Sequence, residues 1–254
     1  MTPNGPQPLT PKERRNLAQR IAEEARRSRA DVLAVGLYGS LARDEDGPYS
    51  DIEILCVLGS SGEDYTREGI VGPAKVEVNF LSQDELFARA AEVPPEWSLT
   101  HGAYVYTRPL YDPQRIFPRL REAVRSPPEE AFRRAMQALI VEELYELMGK
   151  VRNARHWGAR EELPFLAVHL AFHGALLVGL ANRHLYRSAS KMLADSLRLG
   201  DRPPGYDRLC RLVLTGSLSD PKALAEACEG FWSGVGEWGG AHGLALGPRQ
   251  NLSF

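Results

Sequence analysis

The 254-residue sequence predicts a two-domain α+β/α protein: an α/β half with a small sheet, then a bundle of helices. Three observations predict this. Short apolar runs broken by polar turns fill the first half. Two consecutive prolines, Pro127 and Pro128, mark a change of character. Beyond them nearly every segment carries helical periodicity. The domains are therefore expected at 1–127 and 128–254.

The elements follow in order. Thr10-Pro11-Lys12-Glu13 supplies an N-cap, a proline in the first turn and a glutamate at the third position, so a helix starts there and runs to about Arg27. Val32 to Tyr38 is an apolar strand that runs into a Gly39-Ser40 turn. A second strand spans 51–58. Segment 59–73, glycine-rich and mixed in charge, reads as a loop. Strands are expected at 74–81 and 103–110, with a helix near 83–91. After the prolines a long helix spans Glu129 to Arg155. Further helices are expected near 164–184, 188–199, 206–215 and 220–241, the second with Ser188 as a candidate N-cap.

Strand periodicity places the chemistry. Residues i and i+2 of a strand face the same way. Asp51 and Glu53 then share one face, and Ile52, Ile54 and Cys56 fill a core on the other. Lys75-Val76-Glu77-Val78-Asn79-Phe80 alternates in the same manner, so Glu77 can join Asp51 and Glu53 if the strands are neighbours. Clustered carboxylates repel and resist desolvation. A divalent cation offsets that, and Mg²⁺ held by carboxylates and substrate phosphates fits. A Gly-Ser turn brings backbone N–H groups and a hydroxyl to phosphate oxygens. The alternative is a solvated sheet face with ordinary acids.

In the long helix, Glu142, Glu146 and Lys150 recur every four residues, with Glu143 beside them. The spacing puts them on one face, although Glu four residues before Lys is also an ordinary helix stabiliser. His101, His169 and His173 read as packing or capping residues. Trp97 and Tyr49 could stack on a base or sugar, but an aromatic near a strand end more often packs.

Composition narrows the classes. A formal net charge of −2 argues against a nucleic-acid binder working through a basic surface. Only five of the 31 basic residues are lysine, and Lys75 and Lys150 both lie beside the acids above. Cys56, Cys210 and Cys228 form no CxxC pair and read as reduced, buried thiols. The N-terminus has no apolar stretch, so no signal peptide is expected. The apolar run 165–180 contains two histidines and reads as a core helix, not a membrane span. The expected location is cytoplasmic.

The whole chain resembles the kanamycin nucleotidyltransferase family, the aminoglycoside 4′-O-nucleotidyltransferases. The carrying segments are LYGSLAR at 37–43, DGPYSDIEILCV at 46–57, KVEVNF at 75–80, LTHG at 99–102 and ALIVEELYELMGKVRN at 138–153, with GYDRLC and LSD in the tail. The resemblance implies a polymerase-β-like nucleotidyltransferase domain with a small mixed sheet, a helical-bundle domain and a homodimer with shared active sites. It implies that Asp51, Glu53 and Glu77 bind two Mg²⁺ ions, and that Ser40, Arg43, Ser50 and Ser188 contact ATP. Glu146 becomes the general base and Lys150 a phosphate contact, both from the second subunit. Asp64, Glu68, Lys75, Glu77, Glu142, Glu143 and Glu146 line the site for the cationic drug. The implied reaction moves AMP from MgATP to the 4′ hydroxyl of a kanamycin-like drug, with neither nucleic acid nor membrane as a partner. Two rivals use the same fold: a transferase acting on a protein or RNA end, and a non-catalytic nucleotide-binding regulator.

Overall fold

A computed structural model describes residues 5–59 and 64–244. Residues 60–63 of the expected loop and the two chain ends, including the last ten residues of the expected second domain, lie outside the described residues. The chain divides into two compact units. One holds the residues up to Glu92 together with His101–Pro127; the other holds Val93–Thr100 with everything from Pro128 on.

In the first unit, helix α1 (Pro11–Ser28) opens on a complete capping box: the Glu13 amide donates to Thr10 Oγ1, and Glu13 Oε2 accepts from the Thr10 amide at 2.8 Å. Strand β1 (Val32–Tyr38) leads into a single helical turn, α2 (Gly39–Ala42). Strand β2 (Ile52–Leu58) follows, with Asp51 just ahead of it rather than inside. Strands β3 (Tyr65–Val71) and β4 (Ala74–Ser82) form a hairpin, and α3 (Gln83–Ala91) comes after them.

The sheet order is β3-β4-β2-β1-β5, where β5 is Arg108–Tyr111. Only the β2–β4 pair is parallel, so the sheet is mixed. Ile52, Ile54, Cys56 and Leu58 pack with Val35 and Leu37 against Leu17, Ala18, Ala22 and Ala25 of α1. That leaves the opposite face of β2 and β4 to the acids.

Two expected elements differ in the structure, and one helix is additional. The described part of 59–73 is largely strand β3, not loop. It pairs along its whole length with β4, and the turn between them is Gly72-Pro73 with Gly72 at φ +62°, the glycine-first geometry that suits a two-residue hairpin. Strand 103–110 shrinks to β5. Gly102–Val105 winds into a helical turn, α5, which follows the turn α4 (Trp97–Thr100) in the chain, and the Thr107 hydroxyl donates to the Ala103 carbonyl. Pro109 confines β5 to the sheet edge. A further helix, α6 (Ile116–Arg125), starts where the Asp112 carboxylate accepts the amides of Ile116 and Phe117 at 2.7 and 3.0 Å.

The second unit is helical. Its first piece, α4 (Trp97–Thr100), groups with the bundle rather than the sheet. Trp97 packs edge-on against Phe132 at 4.8 Å, and the Ser98 carbonyl accepts the Tyr186 amide at 2.7 Å. The long helix is not one continuous α-helix. α7 (Glu129–Leu139) passes through a π-helical turn at Ile140–Leu144 into α8 (Tyr145–Trp157). Then come α9 (Leu163–Ala181), α10 (Ala189–Ser196), α11 (Tyr206–Leu214) and α12 (Pro221–Ala241). Residues Arg160–Ala181 are long and apolar enough to cross a membrane, with mean hydropathy 1.9. Two thirds of that stretch (67%) is nevertheless buried inside the protein, which identifies a core helix. The three cysteines are free and buried.

Candidate active site

The register of the first unit brings four chemically active residues into one row. Tyr38 of β1 stands opposite Glu53 of β2, Glu53 opposite Glu77 of β4, and Glu77 opposite Glu68 of β3. Directly paired residues project from the same face of a sheet. The row therefore reads Tyr38, Glu53, Glu77, Glu68 across four strands. Lys75 and Asn79 flank Glu77 on that face of β4, and Asp51 precedes Glu53 by two residues.

The acids are electrostatically unequal. Burial, then the charges of Asp51 and Glu77, push Glu53 up to about 7. Burial pushes Glu77 up as well, but the bonds it accepts from Tyr38 and Asn79, with Lys75 nearby, outweigh that and leave it below its ordinary value. The Tyr38 hydroxyl donates to Glu77 Oε1 at 2.7 Å, and Asn79 Nδ2 donates to the same oxygen at 2.7 Å and to the Tyr38 oxygen at 2.6 Å. Burial and the bond to Glu77 raise the Tyr38 phenol above its usual range, so it stays a donor. Sequence reasoning missed Tyr38 and Asn79 as partners of Glu77. The signal for Asn79 was its i+2 spacing from Glu77; for Tyr38 it was its place immediately before the Gly-Ser turn.

This donor set fits a hard divalent cation in charge and chemistry. It offers carboxylate oxygens, and a cation would offset the burial and the Asp51 and Glu77 charges that oppose ionisation of Glu53. Among the described residues, no three His, Cys, Asp or Glu side chains are gathered closely enough to hold a metal as they stand. Glu77 is tied to Tyr38 and Asn79.

The Gly-Ser turn closes over the row. Ser40 lies in α2, half-buried, and its carbonyl accepts the amides of Arg43 and Glu45 at 3.2 and 3.0 Å. Arg43 pairs with Glu45 at 3.3 Å and lies 5.8 Å from the Tyr106 ring. Ser50 sits in a turn: its amide donates to the Gly47 carbonyl at 3.1 Å, and its Oγ accepts the Gly47 amide at 2.9 Å. Its own hydroxyl proton thus remains to donate. A cleft of about 650 Å³ opens beside Ser50 and Lys75, walled by Pro48, Tyr49, Ile70 and Ala74. Tyr49 is 63% exposed, so it is a surface aromatic rather than core.

The two acids expected on the 59–74 segment differ. Glu68 is exposed and faces Lys75 at 3.6 Å. Asp64 is committed structurally: it accepts the Ser82 amide at 2.9 Å and faces Arg89 at 3.4 Å.

In the helical unit, Lys150 Nζ and Glu146 Oε1 are 2.6 Å apart, and both side chains are exposed. The bond from Lys150 holds Glu146 below the usual carboxylate range. Glu142 and Glu143 lie in the π turn, where the ladder lengthens to i→i+5 and the four-residue stagger is broken. Glu142, Glu146 and Lys150 are all exposed, and the ion pair along the helix is that of Glu146 with Lys150. Glu143 instead faces His173 at 3.5 Å. Ser188 is the N-cap residue of α10, but its hydroxyl shares a bond with Ser190 at 3.1 Å rather than capping the helix. His101 packs: its Nε2 bonds the Arg89 carbonyl at 3.0 Å, and burial lowers its pKa. The His169 ring lies tilted against that of Phe165 at 4.2 Å, and Trp97 is core.

The KNTase C-terminal domain family matches residues 114–245. An aminoglycoside nucleotidyltransferase (4′) from Staphylococcus aureus is 40% identical over 252 residues, spanning 99% of this chain and 100% of the relative. A protein of the same description from Bacillus sp is 40% identical over the same length. Among solved structures, a nucleotidyltransferase-like protein from Exiguobacterium sibiricum 255-15 aligns with TM-score 0.56 over 89% of this chain and 77% of that one. At 14% identity that likeness bears on the fold, which is nucleotidyltransferase-like.

Proposed function

The chain belongs to the aminoglycoside 4′-nucleotidyltransferase family, and on that premise we propose that it transfers AMP from MgATP to the 4′ hydroxyl of a kanamycin-like aminoglycoside. Pyrophosphate leaves, and the host gains resistance to the drug. The observation that carries this reading is collinearity with the curated relatives over 99% of the chain at 40% identity. The row of acids on β2, β4 and β3 gives that reading its chemistry.

Asp51, Glu53 and Glu77 would hold divalent cations, which supply Lewis-acid stabilisation of the charge on the triphosphate. The remaining roles fall to the chain's own groups. Ser40 and the free proton of the Ser50 hydroxyl donate to phosphate oxygens, and Arg43 offsets the negative charge that develops on the departing pyrophosphate. Tyr38 and Asn79 hold Glu77 in place as an anion. Glu68 offers a carboxylate to a substrate ammonium; Asp64, already bonded to Ser82 and Arg89, is left out of that set. Glu142 and Glu143 extend the acidic surface, and Ser188 is kept as a nucleotide contact, on the family resemblance alone.

A sugar hydroxyl is a weak nucleophile near neutral pH. Glu146 accepts its proton, a role typically worth about 10²–10⁴-fold, and Lys150 neutralises phosphate charge. In the proposed homodimer, Glu146 of the partner subunit serves the acids of the first. Incubation with labelled ATP, Mg²⁺ and kanamycin tests the reading. Labelled drug and free pyrophosphate are expected. Label on protein or RNA, or no transfer at all, would overturn it.

A further inference from the structure

An arginine occupies the buried stripe of α1. Arg14 precedes Leu17 and Ala18 by three and four positions and shares their face, yet its side chain is only 1% exposed. Its partner, Asp46, is 3% exposed. Arg14 Nε and Nη2 donate to Asp46 Oδ2 at 2.9 and 2.6 Å, and Nη1 donates to the Pro48 carbonyl at 2.8 Å. One planar guanidinium thus grips the loop on both sides of Gly47. The Pro48 carbonyl also accepts the Leu9 amide at 2.9 Å.

Gly47 is the residue that orients Ser50. Its carbonyl accepts the Ser50 amide and its amide donates to Ser50 Oγ. Asp51 follows, and then β2. The grip is therefore linked through a single residue to a phosphate-binding hydroxyl and through the next bond to a proposed metal ligand.

We propose that Arg14 and Asp46 are positioning residues for the nucleotide: their buried pair sets where the Ser50 hydroxyl and the Asp51 carboxylate stand beside Glu53. The proposal rests on the nucleotidyltransferase reading above. Stability alone does not account for the pair. Desolvation offsets most of the attraction in a buried ion pair, and apolar residues of similar volume often serve the fold as well. Leu17, Ala18, Ala22 and Ala25 already anchor α1 in the core. An apolar pair, however, cannot hold the Pro48 carbonyl. The neighbouring contacts of Arg15 and Arg108 to Asp44 are exposed, and such pairs contribute little.

The test uses the full chain carrying Arg14→Met with Asp46→Leu, and separately Asp46→Asn and Arg14→Lys. Amide hydrogen exchange is read at Ser50 and Leu9, with Val35 and Leu37 as references. Affinity for a non-hydrolysable ATP analogue with Mg²⁺ is read by calorimetry, and KM for each substrate by assay. In the double variant, the Ser50 and Leu9 amides should exchange about tenfold or more faster while the references hold. Analogue affinity should fall about tenfold or more while the aminoglycoside KM stays within about twofold. Arg14→Lys, which keeps charge but not the fork, should fall between. If the double variant does not fold, the isosteric Asp46→Asn carries the same two readouts. Unchanged exchange, or unchanged analogue affinity despite a loosened turn, would overturn the assignment. The wild-type control separates the two claims: a wild type that binds no analogue defeats the functional reading itself, whereas a binding-competent wild type with indifferent variants defeats only the role of Arg14 and Asp46.

Discussion

Gly39 and Glu53 occupy one another's space: a Cβ added at position 39 would overlap the Glu53 carboxylate. Gly39 is also held at φ +71°, where a side chain is strained. The first residue of α2 therefore packs its bare backbone directly against the Glu53 carboxylate in the row. The Gly-Ser pair and the D-x-E pair, eleven and more residues apart in sequence, act as one unit.

Replacing Gly39 by alanine tests that unit. Left-handed backbone strain costs about 1–3 kcal/mol, which a protein of this size should survive. The Glu53 carboxylate must move, and misplacement of a catalytic group by about 1 Å can cost on the order of 10²-fold. Gly39→Ala should keep a cooperative thermal transition, lowered by several degrees, while kcat falls far more steeply than stability. A variant with kcat near wild type would show that Glu53 need not stand where it does.

Glu53 also sets a pH dependence. Its folded-state value of about 7 lies above the ordinary carboxylate value, because of burial and then Asp51 and Glu77. Between the two values the unfolded chain has lost a proton that the native chain retains. Stability from this group is therefore full below the ordinary carboxylate range and declines as pH rises towards 7. In a chelating buffer, Glu53→Gln should melt several degrees above wild type at pH 8, and the difference should vanish near pH 4. Millimolar Mg²⁺ should narrow the gap at pH 8 by stabilising the wild type alone. A wild type whose Tm ignores both pH and Mg²⁺ would remove the case for a strained acid cluster.

The acid row was legible in the sequence because its strands alternate. Val76, Val78 and Phe80 on one face of β4 force Lys75, Glu77 and Asn79 onto the other, and the fold only had to place β4 beside β2. β3 was not legible for a related reason. Tyr65-Thr66-Arg67-Glu68-Gly69-Ile70-Val71 is an edge strand with Ile70 74% exposed, so no buried face imposes a period of two. Its pairing with β4 is what makes it a strand. The π turn at Ile140–Leu144 left no mark either, since apolar spacing runs on through it. Asp64 was placed at the drug site by the family resemblance alone, and nothing local in the sequence showed that folding brings the Ser82 amide and Arg89 to it.

That difference makes Asp64 and Glu68 separable by experiment. Asp64→Asn loses a charge-assisted acceptor for the Ser82 amide and the contact with Arg89. It should cost about 1 kcal/mol of stability and leave the kanamycin KM unchanged. Glu68→Gln breaks an exposed pair with Lys75, which contributes little to the fold. It should leave Tm unchanged and raise the kanamycin KM, with an effect that shrinks as salt screens the drug's charge. The opposite pattern, with Asp64 governing KM and Glu68 governing Tm, would reverse the two roles.

The shared-site dimer is tested by complementation. Asp51 belongs to the sheet unit and Glu146 to the helical unit. Under the proposal each site takes Asp51 from one chain and Glu146 from the other. Asp51→Asn and Glu146→Gln should each fold, since both substitutions keep the side chain's shape and Glu146 is exposed and paired with Lys150, and each should be nearly inactive. Unfolded and refolded together in equal amounts, about half of the dimers should be mixed. In a mixed dimer one site receives both lesions. The other receives the intact Asp51 of one chain and the intact Glu146 of the partner subunit. One good site in two, in about half of the dimers, should return roughly a quarter of wild-type activity for a two-fold symmetric assembly. If both residues act within one chain, every site keeps one lesion and the mixture stays at the level of its parents. Mass spectrometry of the refolded pool establishes that mixed dimers are present. With them present and activity flat, the base belongs to the same chain as the acids, and the shared site is wrong.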